Sequence, residues 1–386
     1  MLEWIIEVGL AIIRMFAQPF LYWFLILLWW SSYFRMKKER ATFGTKVFSY
    51  FHEAKGTWAF SIISGLLLSI LVVGLGLTVT IPVVYLLAII MIVLSLFKRF
   101  FFLSASYTLG ILTIMVYLLD VFGEAILPVS WWKDLSNIDF MYIPYLIAAL
   151  LIIESILLYR TKTMDTYPEV TKSKRGKNLG RHRIKKATIV PLFCLLPSGA
   201  IEPFADWWPV LNVGGESYGL MLIPFIIGFE HAVSNILPVK GARWIARNVM
   251  LLAGVIVLLA IAGYFYPVIS LIAVIVSMIG RFIIQYGFRL HDQEQDSVFQ
   301  LGGEGVMVLG VLPRTVAVTL GLKPSERIVK VNGEKVETEN QFYHAVQANR
   351  AFCKLSIKDT NGEVRFAQAA LYEGEHHELG ALFVKE

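Results

Sequence analysis

Three groups of residues in this 386-residue sequence are of types and spacings that could do chemistry. His52-Glu53 opens HEAKG. A His-Glu pair on a helix is how zinc proteases hold a metal ligand beside a general base, but that site needs a second His four residues on. It is missing, so a solvated basic loop is the expected setting. Ser198-Gly199 in LPSGA offers a hydroxyl nucleophile, with His231 further on as a base. Glu154 and the pair Glu230-His231 are ionisable groups inside apolar segments. Such groups are costly in lipid, and pairing between helices is expected of them. A transport path is disfavoured, because no internal repeat and no matched Gly/Pro-broken helices are visible. No cofactor motif or metal-ligand cluster is found. Cys194 and Cys353 read as small buried hydrophobes instead of a disulfide.

The elements that must position these residues follow from composition. The chain is 56% hydrophobic and 17% charged, with a mean hydropathy of +0.63. Soluble domains carry about 25% charge, so an integral membrane protein is expected. Residues 1–286 hold nearly all the excess hydrophobicity, and 287–386 have ordinary soluble composition. No cleavable signal is evident, because Glu3 and Glu7 stand where a basic leader would begin. The basic excess lies in membrane-flanking loops, so nucleic acid is not an expected partner.

The fold class expected is a polytopic α-helical membrane region of about nine or ten apolar segments, followed by a small α+β domain. The segments are Phe20–Phe34, Trp58–Leu77, Val79–Phe97, Phe100–Phe122, Ile143–Tyr159, Ala187–Ile201, Leu220–Leu237, Val249–Phe265 and Val268–Ile284. Residues 1–17 are a tenth, either spanning or lying in the interface. Ala187–Ile201 has about 15 residues where a span needs roughly 20, so a re-entrant segment is an alternative there. Basic loops follow residues 34, 97, 159 and 237, and acidic or neutral ones fall between. The richest, Arg160–Lys186, is an ordinary flanking loop and also suits anionic lipid head groups. By the positive-inside rule the basic loops and the C-terminal part are cytoplasmic, with Arg281 and Arg289 flanking its start.

The soluble part divides into a linker, 287–297, and a domain, 298–386. Val306–Val311 is a β-type run, Gly321-Leu322-Lys323-Pro324 a turn, and Glu326–Val331 a strand before the tight turn Asn332-Gly333. Asn340–Asn349 has the period of an amphipathic helix. Phe352–Lys358 and Glu363–Ala370 form a hairpin around Asn361-Gly362, and Ala381–Val384 is a final strand.

This order, with GLKP and VNG, resembles a PDZ domain of the bacterial type. Ser325, Arg327 and Arg314 depart from the residues common in that family. The resemblance implies that an extended peptide or C-terminal ligand adds to an edge strand beside a helix. By position the edge would be Val306, Met307 and Leu309. Leu301, Gly302 and Gly303 would form a carboxylate-binding loop, and Gln341, His344, Ala345 and Ala348 the facing helix wall.

The whole layout, together with the opening Gln18-Pro19-Phe20-Leu21-Tyr22-Trp23-Phe24, resembles the MinJ family, membrane proteins of Gram-positive rods that help place the division septum. That resemblance implies a scaffold without catalysis, held in the cell membrane at septum and poles. It would link a DivIVA-like marker to a MinD-like partner, which with MinC inhibits FtsZ assembly. Membrane lipids are the other implied partner. The alternatives are an intramembrane protease or a secretion component whose PDZ domain presents substrates. Ser198-Gly199 is similar to the serine motif of rhomboid proteases, except that Leu196 replaces a glycine.

Overall fold

A computed structural model describes residues 2–97, 99–122, 131–132, 135, 140–172, 176, 178–205, 208–209, 217–299, 302–349, 351–359, 361–371 and 379–384. Its order is α1 (Leu2–Phe16), α2 (Pro19–Phe43), α3 (Trp58–Leu75), α4 (Ile81–Leu96), α5 (Ala105–Phe122) and α6 (Ile143–Tyr159), then β1 (Thr166–Lys172), β2 (Asn178–Ile201) and β3 (Tyr218–Val233). Next come α7 (Pro238–Phe265), α8 (Pro267–Glu294), β4 (Val306–Val311), α9 (Val316–Thr319), β5 (Arg327–Val331), β6 (Glu334–Lys335), α10 (Glu339–Gln347), β7 (Phe352–Lys358), β8 (Val364–Ala370) and β9 (Ala381–Phe383). Pro19, Pro82, Pro144, Pro238 and Pro267 sit in the first turns of their helices, where a missing N–H costs nothing.

Among the described residues, α3, α7 and α8 are long and apolar enough to cross a membrane. The pair α1 and α2, bent by 47° where they meet, is a fourth candidate if counted as one span. The helices Ile81–Leu96, Ala105–Asp120 and Ile143–Tyr159 are apolar but shorter. These segments mark a membrane protein.

Two of the expected spans are strands instead. Ala187–Ile201 lies in β2, and Leu220–Val233, most of the span expected to Leu237, lies in β3. Pro191 and Pro224 face each other in the register, and Gly219 and Gly228 fall in the same run; a helix tolerates neither residue well in its interior. The Arg160–Lys186 loop is likewise mostly structured, as β1 paired to the start of β2. The order is β1-β2-β3, all antiparallel.

Burial explains why apolar content misled here. The strand β3 is buried at nearly every position, so it shows no alternation. Its open edges are closed by helices. On the β3 side, the Glu7 carboxylate accepts from Leu220 N–H at 3.0 Å, Arg14 donates to Leu220 O at 2.6 Å, and Gln18 donates to Leu222 O at 2.9 Å. On the β2 side, Ser69 Oγ accepts from Phe193 N–H at 2.8 Å, and Thr188 donates to Ser61 Oγ at 2.8 Å. Gly65, between those serines on α3, lets the helix touch Pro191; a Cβ there would lie 2.5 Å from the Pro191 oxygen. Without such partners each edge group in an apolar setting would cost several kcal/mol.

The C-terminal part is a sheet of order β8-β7-β5-β4-β9, with β6 on β5. Val308, Ile328, Val331, Phe342, Val346, Leu355, Ile357 and Phe383 form its core. The preceding helix α8 continues to Glu294, across most of the stretch read as a linker. Its Asp292 caps the backbone N–H groups of Ser234, Asn235 and Ile236 at 3.0–3.2 Å.

Candidate docking groove

The edge strand beside a helix is β9, not β4. Val306 and Met307 of β4 pair with Ile328 and Arg327 of β5, while Val308, Gly310 and Val311 pair with β9. The expected edge therefore lies inside the sheet, and Val306, Met307 and Leu309 are all buried. Among the described residues β9 has no strand on its outer side. Helix α10 lies against it through Phe342 and Tyr343, whose rings sit 4.9 and 6.3 Å from that of Phe383.

Side chains along β9 alternate between two surroundings. Ala381 and Phe383 enter the sheet's core. Leu382 packs with Val47, Phe48, Tyr167 and Leu312, and Val384 with Phe299 and Leu309, flanked by Phe43 and Val170. The strand is thus gripped between its own domain and the end of α2 with the hairpin β1-β2. Ala381, Leu382 and Phe383 are 3%, 6% and 2% exposed, as buried as the interior strand β4.

The other expected site residues divide as follows. Gln341 is exposed and takes the N3 place of a capping box with Thr338. His344 and Ala348 are exposed. Ala345 is 2% exposed and packs in the core, which corrects its expected place on a groove wall. Gly302 and Gly303 lead into the interior strand β4, not into the edge strand, and Leu301 lies outside the described residues. The segment 372–378, which precedes β9, is outside them too.

The hairpin that packs on β9 through Tyr167 and Val170 is itself held by ion pairs. Glu169 of β1 pairs with Arg181 at 2.8 Å, Arg183 at 3.0 Å and Lys38 at 3.2 Å. Burial pushes its carboxyl up, and Arg183, Arg181 and Lys38 outweigh that and hold it at about 2. Arg183 also pairs with Glu230, so the predicted intramembrane acid is a hairpin ion-pair partner. His182 Nε2 donates to Leu309 O at 2.7 Å, and Gly180 N–H donates to Phe299 O at 3.4 Å. Burial pushes His182 down to about 4. Neither His182 nor Glu169 stood out in the sequence; the exchange of Arg and Lys with Gly and His through 178–186 was the available sign of a strand.

The groups with catalytic residue types do not assemble. His52 and Glu53 are buried, against the solvated loop expected of them. Glu53 accepts from Ser31, Ser32 and Arg35, and His52 Nδ1 meets Tyr167 Oη at 3.1 Å. His231 pairs in register with Ile184, so Ser198 is 14 residues further along β2. At about 3.3 Å per residue that is on the order of 45 Å, which rules out a Ser–His dyad within the chain. Glu154 does join helices: its carboxylate meets Arg281 of α8 at 2.6 Å and Ser104 at 2.6 Å. Arg281 is fully buried, which corrects its expected place as a flanking cation.

The chain is similar over its whole length to the cell division topological determinant MinJ of Bacillus subtilis (strain 168). The two are 33% identical over 385 residues, which cover 100% of this chain and 96% of that protein. It is 24% identical over 223 residues to the probable cell division topological determinants MinJ of Lacticaseibacillus paracasei and Lacticaseibacillus casei (strain BD-II), covering 57% of this chain and 59% of each. No protein-family model matches the chain.

Proposed function

The chain belongs to the family of MinJ cell division topological determinants, and from that premise we propose that it is a non-enzymatic membrane scaffold for division-site selection. Its spans anchor it in the cell membrane in several passes, at septum and poles. Its cytoplasmic parts link a DivIVA-type marker to a MinD-type partner of the MinC inhibitor. The full-length similarity is the observation that carries this proposal, because it includes the apolar helices, the hairpin and the C-terminal sheet alike. The distance between Ser198 and His231 supports binding over proteolysis.

The C-terminal part is, on this proposal, a PDZ-type module whose ligand strand adds to the outer edge of β9 beside α10. The edge strand next to Phe342 and Tyr343 supports it. The test is a fluorescent fusion in rod-shaped cells with and without the DivIVA-type protein. Septal and polar signal that depends on that protein is expected; uniform membrane signal in both strains would defeat the proposal. A reporter fused after Glu386 should be active only inside the cell.

A further inference from the structure

A cleft of about 680 Å³ opens where the end of α6 meets the first turns of α7. That is a volume in the range of small-molecule sites. Ile156, Met250 and Leu251 form its apolar wall, and Arg243 and Arg247 stand at its mouth. The two arginines are four residues apart on α7, so they share one face of the helix.

Both arginines are exposed, unlike the buried or half-buried cations Arg35, Arg183, Lys186 and Arg281. Those four each have a carboxylate partner. Among the described residues neither Arg243 nor Arg247 has one, and Arg243 rests over the Tyr159 ring at 5.5 Å. Two like charges at this spacing repel and weaken a helix unless an anion lies between them. The apolar wall begins one turn beyond: Leu251 is 63% and Met250 39% exposed, on a helix long and apolar enough to cross a membrane. One turn is about 5 Å, the step from a phosphate to the start of an acyl chain. A free phosphate would use only the mouth, whereas a phospholipid uses mouth and wall together.

We propose that this cleft binds one anionic glycerophospholipid. The head-group phosphate lies on Arg243 and Arg247, and an acyl chain runs along Ile156, Met250 and Leu251. A basic cleft beside a spanning helix is suited to such a head group.

The test uses the full chain, reconstituted in nanodiscs of dioleoyl phosphatidylcholine with a minor share of dioleoyl phosphatidylglycerol, then released into detergent and weighed by native mass spectrometry. One phosphatidylglycerol per chain is expected to stay, preferred over phosphatidylcholine by about thirty-fold for two cations near a membrane surface. The Arg243→Gln/Arg247→Gln double variant should lose that preference with an unchanged melting temperature, and the Arg243→Lys/Arg247→Lys variant should keep most of it. Equal retention of the two lipids, or an undiminished preference in the glutamine variant, overturns the proposal. So does displacement of the lipid by inorganic phosphate, which would make this a site for phosphate alone.

Discussion

His182 Nε2 lies 2.7 Å from the carbonyl oxygen of Leu309, and this bond ties the hairpin β1-β2 to the strand next to β9. A carbonyl can only accept, so Nε2 carries the proton. Thr166 Oγ1 meets the other nitrogen at 2.8 Å, and Phe299 covers the ring at 5.0 Å. One imidazole therefore senses whether the C-terminal sheet is seated on the hairpin.

The seating should weaken in acid. Seated, His182 has its pKa pushed down by burial from 6.5 to about 4. The released state thus binds more protons between those values, and seating is strongest above pH 6.5 and declines as pH falls toward 4. The loss there is on the order of 3 kcal/mol. Glu169, held at about 2 instead of 4.5 by Arg183, Arg181 and Lys38, adds a loss below pH 4.5 that falls on the hairpin and its contact with α2. Hydrogen exchange of residues 178–184 and 306–311, followed against pH, should show protection falling first in the upper window. A His182→Phe variant should remove that upper phase and keep the lower one.

The α3 contact with β2 predicts a steric penalty. Because a Cβ at Gly65 would come within 2.5 Å of Pro191 O, Gly65→Val must push the helix off the strand edge whose Phe193 N–H Ser69 satisfies, and off the Thr188 side chain that Ser61 meets. A loss of about 1–3 kcal/mol is expected from overpacking. Gly74, on the same helix with open space around it, should accept alanine at little cost. Thermal melts in detergent compare the two.

The buried pair Glu154–Arg281 predicts non-additive losses. Removing either partner leaves a lone charge in the core, at a cost of about 3–5 kcal/mol. Glu154→Leu and Arg281→Met should each destabilise strongly, and the double variant should lose less than the sum, because no charge remains to be desolvated. Additive losses in a double-mutant cycle would mean that the two side chains do not act as a pair.

Much of the helical architecture was legible in the sequence, since long apolar runs and first-turn prolines identify spanning helices locally. The central hairpin was not. A strand buried on both faces has the composition of a span, and only Pro191, Pro224, Gly219 and Gly228 argue otherwise. Local pattern placed β4 through β9 nearly where they lie, but it carries no strand order. Val306–Leu309 has the pattern of an edge strand, whereas pairing to Phe383 and Ile328 puts it inside. His182 and Glu169 gain their roles from contacts with Leu309 and Lys38, each more than a hundred residues away in sequence.

That strand order decides which substitutions should separate docking from folding. Val306 and Ala345 are 6% and 2% exposed, so Val306→Asp or Ala345→Asp buries an unpaired charge and should cost on the order of 4 kcal/mol. Such variants lose partner recruitment only because the sheet unfolds. Tyr343 is half-buried on α10 and faces Phe383 of the edge strand. Tyr343→Glu should keep most of the domain's stability while reducing recruitment of a peptide partner to β9. Far-UV circular dichroism melts of the variants, paired with co-localisation in cells, distinguish the two outcomes. Full recruitment by a folded Tyr343→Glu protein would remove β9 and α10 as the docking groove.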